Sequence, residues 1–309
     1  MNGNAIRTGS VHWPGPECRV VSAPMRTIDW LARLAPLMAL LAMGCVSDAA
    51  HARKVIREEH APSLATVIRE DMARHRVGIL DAAGRLAPGF VVEDPATRER
   101  QMRTALKFIQ EPPRGVPQFI ASPMAFLAAV GSDGLVIARD VDADDDRMRG
   151  EPFGERYPVV RAALAEGRAG YALGEFPNVE EPEETSWSML FAAPSRRGGR
   201  VVGAVVAGIP LWRMAQRLGR QLQVDNADEQ GLIQWVYMYK GDRLFHFATP
   251  PDLDLIVPDA ATRRAGLARS PGGFTGEVQQ YSRWYAWGVL PTPRVGEDVG
   301  LIIFRSDPM

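Results

Sequence analysis

Trp187 to Gly203 reads WSMLFAAPSRRGGRVVG, and a diverged copy, WYAWGVLPTPRVGEDVG, runs from Trp284 to Gly300, 97 positions later and without a gap. Trp187/Trp284, Pro194/Pro291, Arg197/Arg294, Gly199/Gly296, Val202/Val299 and Gly203/Gly300 coincide. In each copy apolar and β-branched runs flank a centre of Pro, Gly and Arg, the composition of a strand, a turn and a returning strand. Any two hairpins of one chain share part of this pattern, but the shared spacing predicts a molecule built twice on one plan.

The segments around each hairpin extend the plan. Before the first, Pro123 to Val130 turns at Gly131-Ser132-Asp133-Gly134 into Leu135 to Arg139, two antiparallel strands. An acidic loop, a helix over Glu155 to Glu166 ended by Gly167, and a strand over Tyr171 to Phe176 follow. Before the second, Leu232 to Lys240 turns at Gly241-Asp242 into Arg243 to Phe247, then a helix over Asp259 to Ala268 and a strand over Phe274 to Gln279. Between the two, Leu211, Met214, Ala215, Leu218 and Leu222 form one apolar helical stripe opposite Arg213, Arg217 and Arg220. That helix links the lobes. Ahead of both, Leu64, Val67, Ile68, Met72 and Ile79 predict an amphipathic helix over Ser63 to Ala82. Asp94-Pro95 opens another that Pro112-Pro113 stops.

The first 45 residues carry a different signal. From Met25 the chain reads MRTIDWLARLAPLMALLAMGC, with Arg26 and Arg33 ahead of an uncharged run, Leu34 to Gly44, about half the roughly 20 residues that span a bilayer. It ends in Leu41-Ala42-Met43-Gly44-Cys45, which resembles a bacterial lipobox, with Ala42 where leucine is usual. The resemblance implies diacylglycerol on Cys45 and a chain facing the periplasm or the outside, and Val46 after the cysteine favours the outer membrane. A plain signal peptide with an accidental cysteine is the other reading. The expected organisation is an over-extended start (1–24), a lipoprotein signal peptide (25–44), a charged, partly helical tether (45–61), helices plus the first lobe (62–210), a linking helix (211–230) and the second lobe (231–309). Cys18 and Cys45 are the only cysteines, so no disulfide framework holds the fold.

An N-terminal helix followed by two strand-strand-helix-three-strand lobes and a linking helix resembles the double Cache family of extracytoplasmic sensor domains, over about Ser63 to Asp307. Gly150-Glu151-Pro152-Phe153-Gly154-Glu155-Arg156-Tyr157, leading into Ala162 to Phe176, is similar to the family's stretch after the second strand. The resemblance implies an α+β fold of two PAS-like lobes with antiparallel sheets, and a small molecule held in the first lobe between the sheet and the loops after its second strand. Amino-acid-binding members carry a Tyr, Arg, Trp, Tyr cluster with a downstream Asp. Here only Arg156-Tyr157 echoes it, so an amino acid is not implied.

The residues themselves offer a platform of Trp187 and Met189, an aromatic wall in Tyr171, and Arg139 with Arg156 as a fork for an anion, while Tyr157 joins these candidate contacts through the family resemblance. The alternative is that Trp187 is plain core, packed in both lobes as Trp284 is in the second. Asp140, Asp142, Asp144, Asp146 and Glu151 fall at positions 1, 3, 5, 7 and 12 of a calcium-loop pattern, but Asp145 stands where that turn needs glycine. The loop reads as solvated and partly neutralised by Arg147 and Arg149. His51, His60, His75 and His246 lack metal-ligand spacing, and no G-x-S-x-G elbow or Walker loop occurs. No metal, cofactor or catalysis is expected, and a net charge of −1 gives no reason to expect nucleic acid. The chain ends just after a strand, so the expected partners are an unknown small molecule, the membrane through the lipid, and a membrane receptor or envelope protein that carries any signal onward. The competing expectation is a structural or assembly lipoprotein with degenerate lobes.

Overall fold

Leu64, Ile68, Met72, Ile79, Ala82, Ala83 and Leu86 recur at helical spacing, and in the computed structural model, which describes residues 48–177 and 185–308, they form the buried stripe of one long helix. That helix does not begin at Ser63 as the sequence predicts. Asp48–Val55 (α1) passes through a π-turn, Ile56–His60, into Ala61–Leu86 (α2), with helical dihedrals kept at Val55 and His60. A proline inside a helix loses one backbone donor and crowds the carbonyl four residues back. The wider turn just before it opens the ladder where Pro62 would clash, so the rod continues. The stretch expected as a tether is therefore, from Asp48 onward, the first part of this rod. Ala49, Ala52, Val55 and Ile56 are buried, while Arg53 reaches Glu277 of the second lobe at 3.3 Å. The start, the signal peptide and Cys45 lie outside the described residues.

Helix α3, Pro95–Phe108, starts as its sequence predicts, with the Asp94 carboxylate accepting from Thr97 N at 2.8 Å and Pro95 at the first turn. A short helix, Pro117–Ala121 (α4), leads to the first lobe: β1 Phe126–Gly131, β2 Val136–Arg139, helical turns α5 Phe153–Arg156 and α6 Pro158–Arg161, then β3 Gly170–Pro177, β4 Thr185–Arg197 and β5 Arg200–Pro210. Helix α7, Leu211–Asp225, is the link. The second lobe follows as β6 Ile233–Lys240, β7 Arg243–Phe245, α8 Ala260–Arg269, β8 Phe274–Gln280, β9 Arg283–Pro291 and β10 Val299–Ser306. The sheets have the orders β2-β1-β5-β4-β3 and β7-β6-β10-β9-β8, every neighbour antiparallel. One topology occurs twice, as the repeated hairpin predicts.

The hairpins themselves differ. The first closes at Gly198-Gly199 with φ of 57° and 81°, a two-residue turn whose positive φ at both positions favours glycine. Its register slips between Ser195 and Arg196, so Pro194 faces Ala204, whereas in the second hairpin Pro291 faces Gly300. The ungapped 97-residue offset thus holds on the first strand of each hairpin and is lost by one residue on the second.

Each sheet has an inner face toward the rod and α7, and an outer face toward its own lobe's loops. The inner faces share one continuous core, in which Met189, Phe191 and Val205 join Met238, Leu301 and Ile303 through Leu64, Ile68, Leu218 and Leu222 of the two helices. The outer faces have separate clusters. No helix among the described residues is long and apolar enough to cross a membrane.

Candidate functional site

Strand alternation divides the six residues picked out in the sequence between two faces. Tyr171 pairs with Phe191, and Trp187 and Met189 share that register parity, so all three belong to the inner face. Arg139 pairs with Ala128 on the outer face. Tyr157 joins that outer cluster, and Arg156 stands beside it at the surface, bound to Glu151 at 2.9 Å. The structure does not bring the six together.

On the outer face, where the family resemblance places a ligand, four aromatic rings fill the space between sheet and loop. Phe153 meets Tyr157 edge-on at 5.0 Å, Tyr157 stacks on Phe176 at 5.1 Å, and Phe126 meets Phe176 at 5.5 Å. Tyr157 Oη donates to the Glu175 carbonyl at 3.0 Å, and burial pushes its pKa above the usual phenol value. The Arg139 guanidinium lies 5.7 Å from the centre of the Phe126 ring. Its Nε and Asp140 Oδ1 are buried, 3.6 Å apart, and neither makes a hydrogen bond. Burial raises the pKa of Asp140.

The acidic loop behind this face is tied to α3. Asp146 Oδ2 accepts from Arg103 Nη1 at 2.9 Å and from Arg139 N at 3.0 Å, and Asp142 pairs with Lys107 at 2.6 Å. Neutralisation therefore comes from Arg103, Lys107 and Arg139, not from Arg147 and Arg149 as expected; Arg149 pairs with Glu99 instead. Among the described residues no group of three acidic, His or Cys side chains is placed to hold a metal ion.

Trp187 packs against the shared inner core and takes Lys240 Nζ over its ring at 5.7 Å, which makes it a contact between the lobes. Trp284 is 45% exposed, so shared packing does not explain the repeated tryptophan.

A cavity of about 360 Å³ opens on the inner side of the first sheet, between α2 and α7. Met189 and Phe191 form its floor. Ile68, Asp71, Met72 and His75 line it from α2 because their spacing puts them on one helical face, and Met214, Arg217 and Leu218 close the other wall. Asp71 takes a two-pronged bond from Arg217, through Nη2 at 2.8 Å and through Nε, and a third donor from Arg74 at 2.9 Å. Those bonds raise the pKa of Arg217 and fix both its charge and its direction. His75 is buried and its Nε2 reaches Ser122 Oγ at 3.0 Å and the Ser122 carbonyl at 3.2 Å. A carbonyl only accepts, so Nε2 carries the proton; burial lowers the pKa and keeps the ring neutral. Arg213 and Arg220 border the cavity and make no ion pair among the described residues. An apolar floor, a neutral hydrogen-bonding ring and a cationic rim suit a molecule with an apolar body and an anionic end. Sequence reading missed His75 and Asp71. Their i, i+4 spacing beside the apolar stripe was visible, but Arg217, 146 residues from Asp71, was not a visible neighbour.

No protein-family model matches the sequence, and no curated protein does. Solved structures are similar in fold. The ligand-binding domain of the Campylobacter jejuni chemoreceptor Tlp3 in complex with 4-methylisoleucine is 9% identical, covers 86% of this chain and 94% of its own, and has a TM-score of 0.52. The same domain in complex with L-valine is 9% identical, with 91% and 98% covered and a TM-score of 0.50. The protein thus has the two-lobed α+β fold of a chemoreceptor ligand-binding domain.

Proposed function

We propose that this protein recognises a small molecule outside the cytoplasm, is held to the envelope by lipid on Cys45, and acts through a partner membrane receptor or envelope protein. Recognition, and not catalysis, is its chemistry. The observation that carries the reading is the cavity between α2 and α7, whose volume and mixed lining are those of a small-molecule site. The ligand it fits is a carboxylate or similar anion on an apolar body, its charge against Arg213 and Arg220 and its body over Met189 and Phe191. Similar chemoreceptor domains hold 4-methylisoleucine or L-valine, which agrees with a small, partly apolar ligand. A thermal-shift screen with small carboxylates, amines and purines tests it. A ligand at 100 times its dissociation constant should add about 2.7 kcal/mol, and Arg213→Ala with Arg220→Ala should remove most of that shift. No shift with any compound would favour a structural or assembly role.

The outer face is the second reading, because Arg139 Nε and Asp140 Oδ1 are buried without hydrogen bonds. There Arg139, Arg156 and Tyr157 would be the contacts, and a ligand would have to part the four aromatic rings. The anchor is tested by mass spectrometry of the mature N-terminus and by Cys45→Ala, which should move the folded protein from membranes to the soluble envelope fraction. An unmodified terminus elsewhere would refute it.

A further inference from the structure

The end of the second lobe where α1 begins carries two exposed aromatic rings that the proposed recognition does not use. Contacts along α1 fix its height on the sheet. A Cβ on Gly288 would come within 2.5 Å of Ile56, Arg53 pairs with Glu277 at 3.3 Å, and His51 Nδ1 meets Asp307 at 2.8 Å. From Ile56 back to Asp48 the helix descends about 12 Å, and from Gly288 back to Trp284 strand β9 descends about 13 Å. The start of α1 is therefore level with Trp284, and the β8–β9 turn at Tyr281-Ser282 lies at or just beyond that level. Trp284 shares the parity of the buried Ala286, so it stands on the face that α1 covers, yet it is 45% exposed, and Tyr281 is 59% exposed.

Arg283, Arg305, His51 and Asp307 at this end are already paired within the protein. Arg283 donates to Ser306 Oγ at 3.1 Å and to the Asp307 carbonyl at 2.8 Å, and the Asp307 carboxylate takes His51 and, at 2.5 Å, Arg305. Tyr281 and Ser282 also hold φ of 51° and 60°, where Asn and Gly would sit without strain. Only Val46 and Ser47 lie between Cys45 and Asp48, so the chain between those two residues reaches at most about 11 Å.

We propose that Tyr281 and Trp284 form a membrane-interface contact that seats the second lobe on the bilayer. The proposal rests on the reading that Cys45 is lipidated. Tyr and Trp present an apolar ring with a polar edge and concentrate at the level of lipid headgroups. Two acyl chains already give durable attachment, so the rings set the orientation of the lobes over the membrane and not the affinity for it. With the cationic groups of this end engaged within the protein, the contact depends little on anionic lipid.

The test uses the full lipidated protein in vesicles of phosphatidylcholine and phosphatidylglycerol whose acyl chains carry bromine near the headgroup. The expected result is quenched tryptophan emission that falls several-fold in Trp284→Phe and grows in Tyr281→Trp, with both variants still floating with the vesicles. Equal quenching in wild type and Trp284→Phe, with no added quenching in Tyr281→Trp, would overturn the proposal and leave the anchor standing. A wild-type protein that does not float and whose Cys45 is unmodified would overturn the anchor, and this proposal with it.

Discussion

His60 accepts at Nε2 from Arg305 Nη1 and from Gln234 Nε2, both at 3.1 Å, a pattern open only to the neutral ring. Burial and the adjacent Arg305 hold its pKa down at about 4, against the partial opposition of Glu229 and Asp307. An unfolded chain takes up this proton near pH 6.5, so acidification between about 6.5 and 4 favours unfolding. Stability should fall by up to about 1.4 kcal/mol per pH unit in that window and level off below it. His75, also held low by burial, acts in the same direction. Melting temperature against pH checks this: His60→Gln should reduce the slope and His75→Gln should reduce it further, and an unchanged slope in the double variant would refute the assignment. Neither role was legible in the sequence, where both histidines were isolated letters; their partners come from elements up to 245 residues away. Trp284 failed as a guide for the opposite reason. Its identity repeats in both lobes and its environment does not.

Elements whose signals are local were legible nearly to the residue. The Asp94 cap and the Gly198-Gly199 turn each follow from chemistry within four residues, and Asp259, read as the first residue of its helix, is instead the cap that accepts from Thr262 N at 2.7 Å. The continuation of the rod through Pro62 was not, because the π-turn that accommodates it leaves no periodic pattern. The docking of that rod on the second sheet makes its own prediction. Ile56 occupies the space that Gly288 leaves open, so Gly288→Val should force α1 off β9 and cost about 1–3 kcal/mol. A urea unfolding midpoint equal to wild type would show that α1 is not held there. Gly198→Ala would be milder, since only its φ of 57° and no neighbour opposes a side chain.

Over the whole molecule, the order strand, strand, helix, three strands was readable twice, and so the two-lobed α+β fold was too. What the order could not tell was which face of each sheet the rod and α7 would cover. That choice fuses the inner faces into one core, fills the outer face of the first lobe with aromatic rings, and leaves the cavity between two helices far apart in sequence. Of the six residues marked in advance, Met189 lines that cavity. Titration calorimetry with any carboxylate found by thermal shift is the direct test, on wild type, Met214→Trp and Arg156→Ala. Met214→Trp puts an indole into the cavity and should weaken binding at least tenfold, about 1.4 kcal/mol, while Arg156→Ala binds as wild type does. Wild-type affinity in Met214→Trp, with a loss in Arg156→Ala, would contradict the account and place the ligand on the outer face.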